Sequence, residues 1–158
     1  MSEVVIRIDM RPPLEAVGRV KLAAREGRSI HRMMAREALE RSAQAYDREA
    51  DPVTGRPWAA LKPSTRARKA KRCTTLRKLV CSGRLRGSMK QGGAGNIVQV
   101  TRRYARVGTS VPYGIFHQHG TRKMRRRRFL GVSRVAIREM RSEAERMLAA
   151  AWRGKATR

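Results

Sequence analysis

The stretch VGTSVPYGIFHQHG, residues 107–120, joins the end of a predicted strand to a short helix and carries two histidines separated by one residue. On a strand, both imidazoles would lie on one face, an arrangement that zinc sites sometimes use. The pattern favours a helix instead, from Val111 to His119, which Gly120 ends. Because neighbouring helical residues are about 100° apart, His117 and His119 then point about 200° apart and do not share a metal ion.

Other patterns give no support for a metal site or a catalytic centre. No carboxylate lies within nineteen residues of His119 in either direction, so a third ligand and an orienting acid are missing locally. The chain has no GxSxG motif, and GGAG at 92–95 lacks the lysine of a phosphate-binding loop. Cys81 with His117 would form a nucleophile and base pair, but any chain with two cysteines and three histidines offers such a pair by chance. We therefore predict no cofactor, no bound metal and no enzymatic activity.

The distribution of charge is the most informative compositional feature. The chain has 38 basic and 12 acidic residues, a formal net charge of +26. Residues 1–51 have a net charge of +1 and residues 139–158 one of +2, whereas residues 52–138 contain 23 basic residues and no carboxylate. A segment without acidic side chains does not neutralise itself internally. We expect its counter-charge to come from an anionic partner, either nucleic acid or the acidic face of another protein.

Length and composition predict one domain, residues 1–158. Hydrophobic residues make up 41% of the chain and aromatic residues 4%, so we expect a core of aliphatic side chains and methionine. No apolar run approaches the roughly 20 residues of a membrane span, and MSEVVIRIDM lacks the apolar region of a signal peptide. Cys73 and Cys81 form no CxxC motif, which favours free thiols in a reducing cytosol over a zinc site or a disulfide.

A strand and a helix are predicted near the start of the chain. VVIRIDM, residues 4–10, alternates in hydropathy as a strand does. Pro12 and Pro13 end this strand and begin a helix over residues 14–26. Gly27 is predicted to close that helix.

A longer helix is predicted next, with Ser29 as its N-cap and its end near Glu49. DPVTGRPW, residues 51–58, forms the turn after it. Within that turn, we interpret Trp58 as a core residue beneath the loop in preference to an interface anchor. The apolar face of the long helix is predicted to comprise Ile30, Met33, Met34, Ala38 and Ala45.

The middle of the chain is predicted to contain a basic segment and a hairpin. Residues 62–72, KPSTRARKAKR, form either a basic helix with a Ser or Thr cap or an extended basic arm. QGGAGN, residues 91–96, is predicted to be a flexible loop. IVQV (97–100) and YARVG (104–108) are rich in β-branched residues and are predicted to pair.

Ser133 is predicted to cap a C-terminal helix. Its apolar face comprises Ile137, Met140, Ala144, Met147, Leu148, Ala151 and Trp152. The predicted fold class is therefore α+β, with a small antiparallel sheet packed against two main helices and with extended loops or arms.

The run RRRR, residues 125–128, is open to three interpretations: a protein interface, a nucleic-acid contact or a solvated loop. It lies within a basic loop, residues 121–128, and is followed directly by FLG, which returns the chain to the core. Guanidinium groups make bidentate contacts with carboxylates and phosphates. We prefer the protein interface, because arginines held at a structured edge are less easily explained as solvated side chains.

Four separated motifs resemble the phage virion morphogenesis family, also called tail completion proteins, of Mu-like and related tailed phages. They are DPVTGRPWAALKPSTRARK, LVCSGRLRGSM, VGTSVPYGIFHQHG and RRRRFLGVS, in family order over roughly residues 52–133. The resemblance implies a structural protein of the virion neck that completes the tail and joins it to the head as a ring of identical subunits. It also implies that the protein is made in the host cytoplasm and resides in the virion.

The resemblance gives the motif residues architectural roles. It implies that Gly108 and Thr109 end a strand and that Pro112 begins the next helical turn. Gly108 and Gly120 would adopt backbone angles that side chains forbid. Tyr113, His117 and Gln118 would hold the helix against the protein. The full set is Trp58, Gly83, Leu85, Gly108, Thr109, Pro112, Tyr113, His117, Gln118, Gly120, Phe129, Leu130 and Gly131.

The predicted interface with other subunits or with DNA comprises two basic groups. They are Arg66, Arg68, Lys69, Lys71 and Arg72 in the first and Arg122, Lys123, Arg125, Arg126, Arg127 and Arg128 in the second. The expected partners are further copies of the chain, a head-side connector or adaptor, and a tail terminator or tail tube. The end of the packaged DNA is a further candidate partner, and no membrane is expected. The alternative function is sequence-independent nucleic-acid binding, although aromatic residues for base stacking are scarce.

Overall fold

Three antiparallel strands form the sheet of the computed structural model, which describes residues 4–9 and 20–156, with side chains at 4–7 and 27–150. The strands are β1 (Val4–Asp9), β2 (Asn96–Val100) and β3 (Tyr104–Thr109). Their order is β1-β3-β2, so β3 is central. All three predicted strands are confirmed.

A threonine hydroxyl makes the turn of the hairpin between β2 and β3. The Oγ1 atom of Thr101 accepts hydrogen bonds from the N–H groups of Arg103 at 3.1 Å and Tyr104 at 3.0 Å. The N–H of Thr101 donates to the carbonyl oxygen of Tyr104 at 2.9 Å. The turn is therefore stabilised without the Asn-Gly sequence that most favours hairpins.

Gly108 is required by the close approach of β1 and not by its backbone angle. Its φ is outside the left-handed region, whereas Gly120 has a φ of +80°. A Cβ atom at Gly108 would lie 2.1 Å from the carbonyl oxygen of Val4. The predicted role of Gly120 is confirmed, and the angle predicted for Gly108 is wrong.

The described part of the chain contains five helices. They are α1 (Val20–Arg48), α2 (Pro63–Arg72), α3 (Arg84–Gly87), α4 (Gly114–His119) and α5 (Arg134–Ala156). The structure thus resolves the basic segment as a helix and not as an extended arm. Lys62 occupies the N-cap position of α2 without a side-chain hydrogen bond, so the predicted Ser or Thr cap is wrong.

Gly27 lies inside α1 and does not end a helix. A Cβ atom at this position would lie 2.4 Å from the carbonyl oxygen of Arg102 in the hairpin turn. Glycine is therefore needed at this position because a neighbouring backbone approaches closely. The predicted helix end at Gly27 and the predicted N-cap at Ser29 are wrong, because both residues lie inside α1. Pro12, Pro13 and the first residues of the predicted 14–26 helix lie outside the described residues.

The main core lies between α1 and the sheet. It contains Ala35, Ala38, Leu39 and Ala45 of α1, Ala105 and Val107 of β3, and residues of the connecting segments. Three aromatic residues meet in it, with the ring of Tyr46 5.7 Å from that of Trp58 and 5.9 Å from that of Phe129. The core is thus less purely aliphatic than the composition predicts.

Helix α5 packs along α1 through a second cluster of buried residues. Ile30 and Met34 of α1 meet Met140, Ala144 and Leu148 of α5. The Oγ atom of Ser133 accepts a hydrogen bond from the N–H of Ala136 at 3.1 Å, which confirms the predicted cap.

One predicted member of the apolar face of α5 is wrong. Ile137 is 52% exposed, whereas Ala136 is buried. The buried face of the first turn is therefore shifted by one residue from the predicted face. The side chains of Ala151 and Trp152 lie outside the described residues.

Candidate functional site

A cleft of about 590 Å³ brings the two predicted basic segments together. From residues 62–72 it is lined by Lys62, Arg68, Lys69 and Arg72. From the rest of the chain it is lined by Arg84, Lys123, Arg125 and Arg127. Its apolar lining includes Ala60, Leu61, Leu79, Val80, Leu85, Tyr113 and Met124. Among the described residues no carboxylate lines this space, which we call the basic cleft.

Gln118 fixes the corner between α4 and the chain that returns to the core. Its Nε2 atom donates a hydrogen bond to the carbonyl oxygen of Leu130 at 2.5 Å. Its Oε1 atom accepts from the N–H groups of Phe129 and Leu130, both at 3.2 Å. All three residues are buried, so one side chain satisfies three backbone groups that water does not reach.

Arg127 is turned into the protein and anchors one wall of the basic cleft. Its Nε atom donates to the carbonyl oxygen of Ala59, and its Nη2 atom to that of Ala60, both at 3.0 Å. The backbone N–H of Arg127 donates to the carbonyl oxygen of His117 at 2.9 Å. Burial lowers the pKa of the Arg127 guanidinium below its usual value. This arginine therefore supports the loop from within.

Arg128 and Trp58 fasten the same loop to the turn after α1. The indole Nε1 of Trp58 donates to the carbonyl oxygen of Arg128 at 2.8 Å. The Nε atom of Arg128 lies 3.8 Å from a carboxylate oxygen of Asp51. Trp58 is 4% exposed, so the interpretation of this residue as a core residue is confirmed.

His117 lies on α4 and is half-buried near the basic side chains of Arg127 and Lys69. Burial, together with the positive charges of Arg127 and Lys69, lowers the pKa of its imidazole below the usual value. Its Nδ1 atom is buried and has no hydrogen-bond partner within the described residues. The ring of Tyr113 lies 6.1 Å away in an edge-to-face arrangement. Burial and the neighbouring positive charges therefore both favour the neutral form of this imidazole.

Lys69 anchors the opposite wall. Its Nζ atom donates hydrogen bonds to the carbonyl oxygens of Arg77, at 2.9 Å, and of Val80. Burial lowers the pKa of this ammonium group. The amine therefore joins α2 to the segment that follows it.

A disulfide joins Cys73, directly after α2, to Cys81, so the prediction of free thiols is wrong. The chain turns back after α2, which brings the two Cα atoms to within 4.6 Å. The Oγ1 atom of Thr74 donates to the carbonyl oxygen of Cys81 at 3.0 Å and holds the same turn. The spacing of the two cysteines does not reveal this turn, because the contact depends on the path of residues 74–80.

Six of the basic side chains that line the cleft are exposed and available to a partner. Within the described ranges they make no hydrogen bond and no ion pair. They are Lys62, Arg68, Arg72, Arg84, Lys123 and Arg125. Lys69 and Arg127 hold the walls, so these six carry the uncompensated charge of the cleft.

Carboxylates at the end of α1 neutralise basic residues elsewhere in the acid-free segment. Glu49 lies 2.9 Å from the Nζ atom of Lys78, and Asp47 lies 2.5 Å from a guanidinium nitrogen of Arg86. Burial raises the pKa of Glu49, but the hydrogen bonds and charge of Lys78 and the charge of Arg77 outweigh it and lower the pKa. The acid-free segment is therefore partly neutralised within the chain, and the basic cleft gathers several of its cations that have no carboxylate partner.

The remaining predicted residues fall into three groups. Buried motif residues are Leu85, Thr109, Phe129 and Leu130, and the Oγ1 atom of Thr109 lies 2.7 Å from the Oγ atom of Ser88. Gly83 has a φ of +80°, and a Cβ atom at Gly131 would lie 2.6 Å from Val53. Exposed residues outside the cleft lining are Arg66, Lys71, Pro112, Arg122 and Arg126.

Lys62 and Arg84 line the cleft but are not members of the two predicted interface groups. Of these two, Arg84 lies outside both predicted basic segments. It follows Gly83 in the motif LVCSGRLRGSM, and its membership of the acid-free segment was the only available signal. The described residues contain no group of three or more His, Cys, Asp or Glu side chains close enough together to hold a metal ion. None of the described helices is long and apolar enough to span a membrane.

Comparison with known proteins identifies the family. The phage virion morphogenesis family matches residues 8–149 of the 158-residue chain, a range that includes the whole basic cleft and the corner held by Gln118. No curated protein and no solved structure shows significant similarity. The match confirms the resemblance seen in the four motifs, and with it a structural or assembly role in the phage virion. The chain belongs to the phage virion morphogenesis family.

Proposed function

We propose that the protein acts at the neck of the virion, where it completes the tail and joins it to the DNA-filled head as a ring of identical subunits. The observation that carries this proposal is the family match over residues 8–149. The protein acts by assembly and without catalysis. Its neighbours are further copies of itself, a head-side connector or adaptor, and a tail terminator or tail tube.

The charge of the chain supports a role within a larger assembly. Subunits with a formal net charge of +26 repel one another when they are brought into a ring. Acidic surfaces of neighbouring neck proteins, or the phosphates of the DNA end, reduce this repulsion. The ring is therefore expected to be stable in the presence of anionic partners.

A nonsense mutation early in the gene tests the proposal. Lysates of infected cells are imaged for filled heads, tails and joined particles, and the wild-type gene is supplied from a plasmid as the control. We expect filled heads and separate tails without the protein and joined particles with it. Normal yields of joined, infectious particles in its absence would refute the role.

The charge also favours a second candidate function, sequence-independent nucleic-acid binding. Each neutralised phosphate releases counterions, so the affinity of such a protein falls steeply with salt. Nanomolar binding to duplex DNA with a steep salt dependence would support this alternative. Weak binding that disappears near physiological salt is the result expected of a neck protein.

A further inference from the structure

We infer that the basic cleft is a docking site for an extended acidic segment of another virion protein, with carboxylates beside apolar side chains. This inference rests on the proposed function, because it names the chemistry of one neck partner. A volume of about 590 Å³ is within the range of roughly 300–1,000 Å³ that is typical of ligand sites. The cleft is therefore large enough for several side chains of a partner.

Two walls of the cleft present unpaired cations towards the same space. Arg68 and Arg72 lie on α2, and Lys123 and Arg125 lie on the loop 121–128. A chain that lies between the walls meets positive charge on both sides. Carboxylates on such a chain form charge-assisted hydrogen bonds with guanidinium groups.

The lining favours a polypeptide over a nucleic acid. Apolar side chains line the cleft together with the basic ones, among them Leu61, Leu79 and Met124. These groups offer nothing to a phosphate but bury aliphatic side chains of a peptide. Tyr113 is the one aromatic residue among the described lining that a base can stack on, apart from the half-buried imidazole of His117.

A second copy of this chain is poorly suited to fill the cleft. Asp47, Glu49 and Asp51 at the end of α1 are paired with basic residues of their own chain. The same is true of all the other carboxylates whose side chains are described: Glu37, Glu40, Glu139, Glu143 and Glu145. The described part of a neighbouring copy therefore has no unpaired carboxylate to offer. Among the described residues, this favours a different and more acidic protein as the occupant.

The cleft is organised before a partner arrives. Lys69 and Arg127 tie the two walls to backbone carbonyl groups, and the disulfide between Cys73 and Cys81 closes the turn after α2. Walls that are already fixed lose little conformational entropy on binding. Docking of a flexible acidic segment then orders the segment and leaves the cleft largely unchanged.

Binding of a short labelled peptide in which glutamate and leucine alternate tests the inference by fluorescence anisotropy. The salt concentration is about 150 mM, so that charges more than about 8 Å apart are largely screened. Two comparison peptides have glutamine in place of glutamate or serine in place of leucine. Duplex and single-stranded DNA of similar length are the other probes.

Matched pairs of variants locate the binding. Arg68→Gln with Arg72→Gln removes two cleft cations from α2, and Arg66→Gln with Lys71→Gln removes two cations of the same helix outside the lining. We expect the cleft pair to weaken peptide binding about tenfold or more and the control pair less than about threefold. All four side chains are exposed, so the variants are expected to fold, and circular dichroism checks this.

The second wall gives an independent comparison. Lys123→Gln with Arg125→Gln is set against Arg122→Gln with Arg126→Gln, which lie in the same loop but outside the lining. The inference requires that the cleft pair lose more peptide affinity than the control pair on this wall too. It also requires that both comparison peptides bind the wild-type protein more weakly than the peptide of alternating glutamate and leucine.

Equal losses of peptide affinity in the cleft pairs and the control pairs would overturn the inference. It would also be overturned if DNA bound more tightly than the peptide and the cleft pairs weakened that DNA binding. These results leave the neck function intact, because the nonsense mutation tests that function separately. Conversely, peptide binding at the cleft would persist if the protein acted elsewhere in the virion.

Discussion

At the residue scale, Gln118 is the side chain whose hydrogen bonds most directly hold the candidate site. Its amide satisfies two N–H groups and one carbonyl oxygen of Phe129 and Leu130. Gln118→Leu leaves these buried groups unpaired. We expect the free energy of unfolding to fall by about 2–4 kcal/mol, measured by urea denaturation.

The matched control is Gln99→Leu, which makes the same chemical change on β2. Gln99 is exposed, so the expected change is within about 0.5 kcal/mol. Similar losses in both variants would show that the buried hydrogen bonds of Gln118 contribute nothing specific.

His117 predicts a pH dependence of stability. Burial and the charges of Arg127 and Lys69 lower the pKa of its imidazole in the folded protein. As the pH falls below about 6.5, the unfolded chain therefore binds a proton that the folded protein does not bind. The free energy of unfolding is expected to fall between about pH 7 and the lower folded pKa, and to fall less in the variant His117→Gln.

Denaturation of the wild type and of His117→Gln at several pH values measures this difference. His119→Gln is the control, because it replaces an exposed imidazole on the same helix and leaves His117 in place. An identical pH dependence in wild type and His117→Gln would contradict the lowered pKa of this half-buried imidazole.

At the element scale, α1 depends on a glycine where helices normally prefer alanine. Gly27→Ala gains helix propensity, by about 1 kcal/mol. Its Cβ atom would, however, lie 2.4 Å from the carbonyl oxygen of Arg102 and displace the hairpin turn. We expect a net loss of about 1–3 kcal/mol in the free energy of unfolding.

Gly87→Ala in α3 is the comparison variant, since a Cβ atom there meets nothing within 4 Å. It is expected to be neutral or slightly stabilising. A stabilising effect of Gly27→Ala would contradict the close packing of the hairpin against α1.

The disulfide between Cys73 and Cys81 stabilises the wall of the cleft that α2 forms. In the chain-entropy description, closing so short a loop contributes about 2–3 kcal/mol. The double variant Cys73→Ser, Cys81→Ser is expected to lose up to this amount. Mass spectrometry with a thiol-alkylating reagent, without reduction, is expected to find neither cysteine modified in the native protein. Two alkylated cysteines would show that the bond is absent.

Local patterns predicted the elements whose residues act locally. The alternation in residues 4–9, the β-branched pair of strands and the cap at Ser133 required only neighbours in sequence. Gly27 and Gly108 misled the prediction, because each is needed for a backbone that approaches from a distant part of the chain.

The candidate site was predictable in charge but not in geometry. Its location in the acid-free segment followed from composition. The inward direction of the Lys69 and Arg127 side chains could not be predicted from composition. The sequence does not distinguish a basic side chain that binds a partner from one that binds a carbonyl group of its own protein. The disulfide was missed for a similar reason, since the path of residues 74–80 decides it.

At the scale of the whole molecule, the basic cleft brings together cations that no described carboxylate of the chain neutralises. Every carboxylate whose side chain is described is paired within the chain, while six basic side chains of the cleft are not. With a net charge of +26, the isolated protein is expected to bind anionic surfaces non-specifically at low salt. Specific assembly is expected to persist at salt concentrations that abolish this attraction.

A high-resolution image of the neck of the mature virion, with this chain traced in it, tests the central claim most directly. The account predicts a closed ring of copies of the chain between head and tail. In each copy, the basic cleft is predicted to hold an acidic segment of another protein, with carboxylates beside Arg68, Arg72 and Arg125. A neck that lacks this chain would contradict the account, and so would copies whose cleft cations face only solvent.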